Sequence, residues 1–280
     1  MTDSSISPLV DASWLKSRLD SPGIVVLDVR TPPAGGFVSG SVHSDYATAG
    51  WRTVVGGGAG MLPEPDVLAG LIGGLGIGNG DHVVLVAAGA NASDMGNATR
   101  VYWTFKMLGH DAVSVLDGGF AAWTAAGGPV EPQPAVRQPT RFTVRPRADL
   151  RATLEQVEAA VQAGGTPLHD ARSPEQFAGK AKSPQARAAG TIPGAVNLDI
   201  AALFSPAEHR FASPEAVKAM ADQAGLPLRD QPITFCNTGH LASVSWFALS
   251  EIARVPGVRL YDGSMSEWSA DPQRPLQSES

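Results

Sequence analysis

The 280-residue chain contains one cysteine, Cys236. A single thiol excludes an internal disulfide framework and a cysteine-built metal centre, so neither a metal nor another cofactor is expected. No apolar run is long enough to cross a bilayer. The start, Met-Thr-Asp-Ser-Ser-Ile-Ser-Pro, has neither the basic nor the apolar region of a secretory leader. Positive charge is in the minority: 21 Lys and Arg stand against 27 Asp and Glu, a net charge of −6. That balance argues against a nucleic-acid or anionic-membrane partner. The composition otherwise suits a globular protein with one large domain or two ordinary ones. A cytoplasmic location is expected.

What the chain does have is a distinctive setting for that cysteine. A short apolar run, Ile233-Thr-Phe235, leads into Cys236-Asn-Thr-Gly-His-Leu241, and helical periodicity continues to Ala253. The pattern reads as strand, tight polar loop, helix. A lone cysteine is often only a small buried hydrophobe. At a strand exit facing a helix start, however, unpaired backbone N–H groups favour the thiolate.

Along the chain, residues 8–20 have helical spacing, with Asp11 or Ser13 as cap. Ile24–Leu27 reads as a buried strand, and the glycine-rich stretch from Gly35 to Gly60 as a long surface excursion. A helix is expected over 65–75, a strand over 83–86, a helix over 98–108 and a strand over 113–116. The proline-rich stretch 129–146 reads as an unpacked linker. It divides the chain into domains 1–128 and 147–280.

Those two halves repeat. Asp28-Val-Arg30 returns as Asp170-Ala-Arg172, Gly40-Ser-Val-His43 as Gly194-Ala-Val-Asn197, and Asp117-Gly-x4-Trp123 as Asp262-Gly-x4-Trp268. A repeat of this length implies duplicated domains, not a solenoid. Strands alternating with helices imply an α/β fold with a mostly parallel central sheet in each half. One difference stands out: where the second half has Cys236-Asn-Thr, the first has Ala87-Ala-Gly, followed by what reads as a longer loop, 90–97. One half carries the nucleophile and the other does not.

With these residues in place, the chain resembles the tandem-domain rhodanese-like sulfurtransferases over roughly residues 8–270. The carriers are the Asp-x-Arg strands, Asp170–Phe177, Gly190–Asn197, the Cys236 loop and Asp262-Gly-x4-Trp268. The resemblance implies two rhodanese-like domains, the first catalytically inactive. It also implies a double displacement in which Cys236 takes a sulfur from thiosulfate or 3-mercaptopyruvate as a persulfide. The sulfur then passes to cyanide, a thiol or reduced thioredoxin. The loop Asn237, Thr238, Gly239, His240, Leu241 would wrap the sulfur with backbone N–H groups, with Gly239 supplying positive φ.

Arg172 has two readings, a cation for the anionic donor or a salt bridge to a neighbouring carboxylate, since the inert half keeps Arg30. Arg187 is a second candidate for the donor. Asp170, Asp262, Gly263 and Trp268 read as architectural. Thr238 stands where mercaptopyruvate enzymes have a serine, but Ala47 and Gly60 stand where its acid and histidine partners are sought. His240 is the basic residue of the loop, either a partial cation near neutrality or a loop histidine without a role. The result fits neither subgroup cleanly, with thiosulfate slightly favoured. A phosphatase on the same fold needs Cys-x5-Arg, and Ala242 occupies the arginine position. A non-catalytic sulfur carrier is the remaining alternative.

Overall fold

The computed structural model describes residues 6–31 and 33–278; most of the stretch read for a leader lies outside them. The chain divides into two units. The first takes the residues up to Trp51, Pro63–Arg147 and Ser205–Phe211. The second takes Arg52–Leu62, Ala148–Phe204 and everything from Ala212. Each unit therefore includes a short segment from the other half of the sequence.

In the first unit the apolar runs form β1 (Leu9–Val10), β2 (Ile24–Asp28), β3 (Val42–His43), β4 (His82–Val86) and β5 (Val113–Leu116). They pair in the order β1-β5-β4-β2-β3, all parallel. The connections include α1 (Ala12–Lys16), α2 (Pro65–Gly74), α3 (Ala92–Met107) and α4 (Gly119–Ala125). Asp11 caps α1, accepting the Trp14 N–H at 2.7 Å. Val26, Val84, Val86, Leu116 and Trp123 share one core under this sheet. β4 is buried at every position, as a central parallel strand covered on both faces must be.

The second unit repeats the plan with β6 (Leu168–Asp170), β7 (Ala195–Asn197), β8 (Ile233–Phe235) and β9 (Arg259–Leu260). They pair in parallel in the order β7-β6-β8-β9. Arg151 bridges Leu260 at the edge, the register that Leu9 holds against Val115 in the first unit. The helices are α5 (Leu154–Ala163), α6 (Pro174–Phe177), α7 (Pro214–Gln223), α8 (His240–Trp246) and α9 (Ser264–Trp268). Thr153 and Gln156 form a capping box on α5, and α8 runs on into a π-helical turn, Phe247–Ile252. An antiparallel hairpin, Thr53–Val55 with Gly58–Met61, also belongs to this unit.

Three expectations need correcting. The stretch 35–60 is not a surface excursion, because it buries Val38, Val42, Tyr46 and Trp51. Its anchors are single apolar residues between glycine turns, which neither a strand nor a helix period picks out. The stretch 129–146 is not an unpacked linker. Val130–Glu131 pairs with Phe37–Val38, and Ala135, Thr140 and Arg145 donate to the carbonyls of Ser41, Gly73 and Leu108. Phe142 is buried, with its ring 6.0 Å from that of Phe105. Prolines suit such an extended strap because it needs few of its own N–H groups. Finally, α3 starts at Ala92, not Ala98, with Asn91 capping Asp94. The loop after β4 is thus about as short as the one after β8.

Candidate functional site

Cys236 immediately follows β8 and is fully buried. In parallel α/β sheets the carboxyl ends of the strands carry the ligand site, and four residues, Cys236–Gly239, turn the chain there from β8 into α8. Gly239 has φ +71°, the left-handed conformation expected of it. His240 and Leu241 are not loop residues but the first two residues of α8.

The loop is held from several directions. The Cys236 and Gly239 N–H groups both donate to Ser264 Oγ, each at 3.0 Å. Ser264 Oγ in turn donates to the Tyr261 carbonyl at 2.8 Å. The Cys236 and Asn237 carbonyls accept from Met265 and Ser266 at the start of α9, both at 3.0 Å. The Asn237 side chain donates to Gln176 of α6 at 3.0 Å. Among the described residues, the N–H groups of Asn237 and Thr238 find no protein acceptor, and Asn237 Oδ1 is buried without a partner. Consecutive N–H groups left open at a left-handed turn are the elements of an anion-binding nest.

Ser264 was not identifiable as a site residue from the residue type alone. Its signal is one mismatch in the repeat: Asp262-Gly-Ser264 against Asp117-Gly-Gly119. The first unit shows what the mismatch does. Ala87 and Ala88 accept from Phe120 and Ala121 as Cys236 and Asn237 do from Met265 and Ser266. With no hydroxyl at Gly119, the loop N–H groups of Gly89 and Ala90 turn instead to the Asp94 carboxylate. A fixed internal anion therefore fills the loop that lacks the cysteine.

Arg172 makes the ion pair of one of its two readings. It is 1% exposed, with Nε and Nη2 on the two carboxylate oxygens of Asp170 at 2.9 and 2.6 Å, and Nη2 on the Gly190 carbonyl at 2.9 Å. Arg30 repeats this with Asp28 and the carbonyls of Ala34 and Gly36. The shared geometry ties strand end to following loop in both units, whether or not a cysteine is present. Arg187 is exposed and held through its backbone N–H to Ser269 Oγ at 2.9 Å.

The other duplicated residues hold each unit together. Asp262 accepts from Arg151 Nε at 2.8 Å and from the Leu62 N–H at 2.7 Å. Asp117 accepts the Phe211 N–H at 2.9 Å. Trp123 and Trp268 are buried and donate to Pro129 and Pro275, each at 3.0 Å. Near the loop, burial pushes the Glu267 carboxyl up from its ordinary value. No group of His, Cys, Asp and Glu is arranged to hold a metal among the described residues, and no helix there is long and apolar enough to cross a membrane.

Two α/β units of one plan, one with a thiol at its strand end, define a duplicated parallel-sheet fold with a single candidate nucleophile. Residues 11–126 and 153–271 each match the rhodanese-like domain, and the chain belongs to that sulfurtransferase family. It is 30% identical to a Mycobacterium tuberculosis H37Rv protein named "Putative thiosulfate sulfurtransferase", with 94% of each chain covered. A Haloferax volcanii protein of the same name is 32% identical over 93% of this chain and 92% of its own. In fold, the chain is similar to SseA from Escherichia coli, a 3-mercaptopyruvate sulfurtransferase, at a TM-score of 0.80 and 24% identity. That match covers 92% of this chain and 99% of SseA. It is also similar to the anaerobic ergothioneine biosynthesis enzyme of Chlorobium limicola (TM-score 0.84, 20% identity, 98% of this chain and 70% of that one).

Proposed function

We propose that this protein moves a sulfane sulfur from a small anionic donor to a thiophilic acceptor through a persulfide on Cys236. The observation that carries the proposal is the placement of the only thiol at the end of β8, beside the open N–H groups of Asn237 and Thr238. With thiosulfate, the Cys236 thiolate attacks the outer sulfur. The bond from that sulfur to the sulfite sulfur breaks, and its electron pair leaves with sulfite. The product is Cys236–S–S⁻, whose charge the loop N–H groups stabilise. Cyanide or a thiolate then attacks the outer sulfur and restores the Cys236 thiolate. No cofactor is needed, because covalent catalysis divides the transfer into two displacements.

Thiosulfate is favoured over 3-mercaptopyruvate. Thr238 keeps a hydroxyl, but Gly60, the residue against it, has no side chain with which to move a proton. Ala47 belongs to a turn closed by Asp45 and Thr31. Thiosulfate already carries a stable leaving group and needs no such proton transfer. Arg187, exposed and without a side-chain partner among the described residues, is one candidate cation for the donor, and His240, at the start of α8, is a second candidate contact. Reduced thioredoxin or a small thiol in the cytoplasm would serve as acceptor.

The test is intact mass after incubation with thiosulfate or with 3-mercaptopyruvate. One added sulfur atom is expected on the wild type, faster from thiosulfate, and none on Cys236→Ser. No added sulfur from either donor would overturn the proposal. Sulfur that loads but never transfers to cyanide or thiols would favour a sulfur carrier.

A further inference from the structure

The hairpin Thr53–Met61 comes from the amino-terminal half of the sequence yet belongs to the second unit. It is stapled there on both sides of Gly60. The Ala59 N–H donates to Ser266 Oγ at 3.0 Å, and the Leu62 N–H donates to Asp262 Oδ2 at 2.7 Å. Between these staples, Gly60 lies directly on the Cys236 loop. A Cβ at position 60 would stand 2.8 Å from Thr238 Cβ and closer still to the Thr238 carbonyl oxygen. Real Cβ atoms do not approach so closely, so the Thr238 peptide would have to move. Gly60 also has φ +81°, where glycine is favoured.

The first unit provides a natural contrast. There Phe211 donates to Asp117 as Leu62 does to Asp262. Two residues before each donor stand His209 and Gly60, both with positive φ. His209 carries a full side chain and packs against Gly118, in the turn that follows β5. The residue without a side chain is found on the loop that has the thiol.

We propose that Gly60 is a positioning residue for the Cys236 loop. By having no side chain, it lets the hairpin rest on the Thr238 peptide and hold the Asn237 and Thr238 N–H groups in the orientation that stabilises sulfur charge. The inference deepens the sulfurtransferase reading and rests on it for the turnover measurement, but not for the thiol measurement below.

The test compares Gly60→Ala with Gly56→Ala. Gly56 is in the turn of the same hairpin, with φ +58° and nothing within 4 Å of an added Cβ. It therefore carries a similar backbone strain without touching the loop. The first readout is thiosulfate turnover. Gly60→Ala is expected to lower kcat about 10-fold or more with KM changed less than about 2-fold, as removal of a charge-stabilising N–H does. The second readout needs no sulfur donor: the ratio of Cys236 alkylation rates by iodoacetamide at pH 7 and pH 10. Misplaced N–H groups are expected to lower this ratio by about 3-fold or more. Simple loosening of a buried thiol would raise both rates alike and leave the ratio unchanged. Gly56→Ala is expected to move neither readout. An unchanged ratio and kcat in Gly60→Ala, or equal changes in both variants, would overturn the proposal. If Gly60→Ala does not fold, Ser266→Ala releases the Ala59 staple without adding bulk. A lowered ratio there supports the proposal and an unchanged one overturns it. Should the wild type transfer no sulfur at all, the sulfurtransferase reading fails while the alkylation ratio still decides the role of Gly60.

Discussion

Ser264 occupies in the second unit the place that Gly119 holds in the first, and both have left-handed backbone, φ +50° and +58°. A serine in that region costs about 1–2 kcal/mol relative to its ordinary conformation. The return is a hydroxyl that gathers the Cys236 and Gly239 N–H groups. Ser264→Gly should leave global stability within about 1–2 kcal/mol, because relief of strain offsets much of the loss of three hydrogen bonds. Sulfur transfer should fall about 10- to 100-fold, because the loop loses its internal anchor. Urea unfolding alongside donor kinetics checks both parts, and undiminished transfer would remove Ser264 from the site.

Cys236→Ser should abolish persulfide formation while keeping the fold. The side chain is fully buried, so exchanging sulfur for a hydroxyl costs about 1–2 kcal/mol unless a partner is found. Circular dichroism and a melting curve would establish the fold, and intact mass would establish the loss of the added sulfur. Residual transfer in this variant would exclude the double displacement altogether.

The two readings of Arg172 predict different failures. Loss of the buried partner leaves the Asp170 carboxylate, itself fully buried, with the Thr191 hydroxyl at 2.7 Å and the backbone N–H of residue 172 at 3.0 Å. Arg172→Ala should therefore cost about 3–5 kcal/mol of stability, and Arg30→Ala a similar amount through the first unit. A donor-binding role would appear instead as a raised donor KM with an unchanged unfolding midpoint. Measuring both quantities on both variants separates the two roles.

Much of this architecture was legible because it is written twice. The apolar runs at 24–27, 83–86, 113–116 and 233–235 became central strands, since a strand buried on both faces needs a mostly apolar run. Cys236 and Gly239 stood out by type and position. Gly60 and Ser264 did not, because their importance lies in contacts between stretches about 180 and 30 residues apart, which no local period encodes. The packing of 129–146 was hidden for a related reason. Prolines and polar residues look like a linker when their partners, Ser41, Gly73 and Leu108, lie elsewhere in the sequence. Arg172 was ambiguous because the same residue type suits either an anionic donor or a buried aspartate.

The duplicated aspartates differ in their partners. Asp262 has Arg151 on its carboxylate, whereas the first unit has Leu9 at the register of Arg151. Burial pushes Asp117 up to about 6; N–H groups of Phe211 and Gly118 and the charge of Arg210 lower it, and Asp11 raises it slightly. A carboxyl raised in the folded state favours folding while protonated. Its contribution is therefore present below about pH 4, the unfolded value, and is lost as pH rises through about 6. Two units would correspond to about 2.7 kcal/mol; partial exposure reduces the expectation to about 1–2 kcal/mol. Asp117→Asn keeps an oxygen acceptor for Phe211 and removes the titration. Urea unfolding at pH 4.5 and 6.5 should show the wild type losing stability relative to this variant as pH rises. A constant difference between the two proteins across that interval would mean that Asp117 does not titrate there.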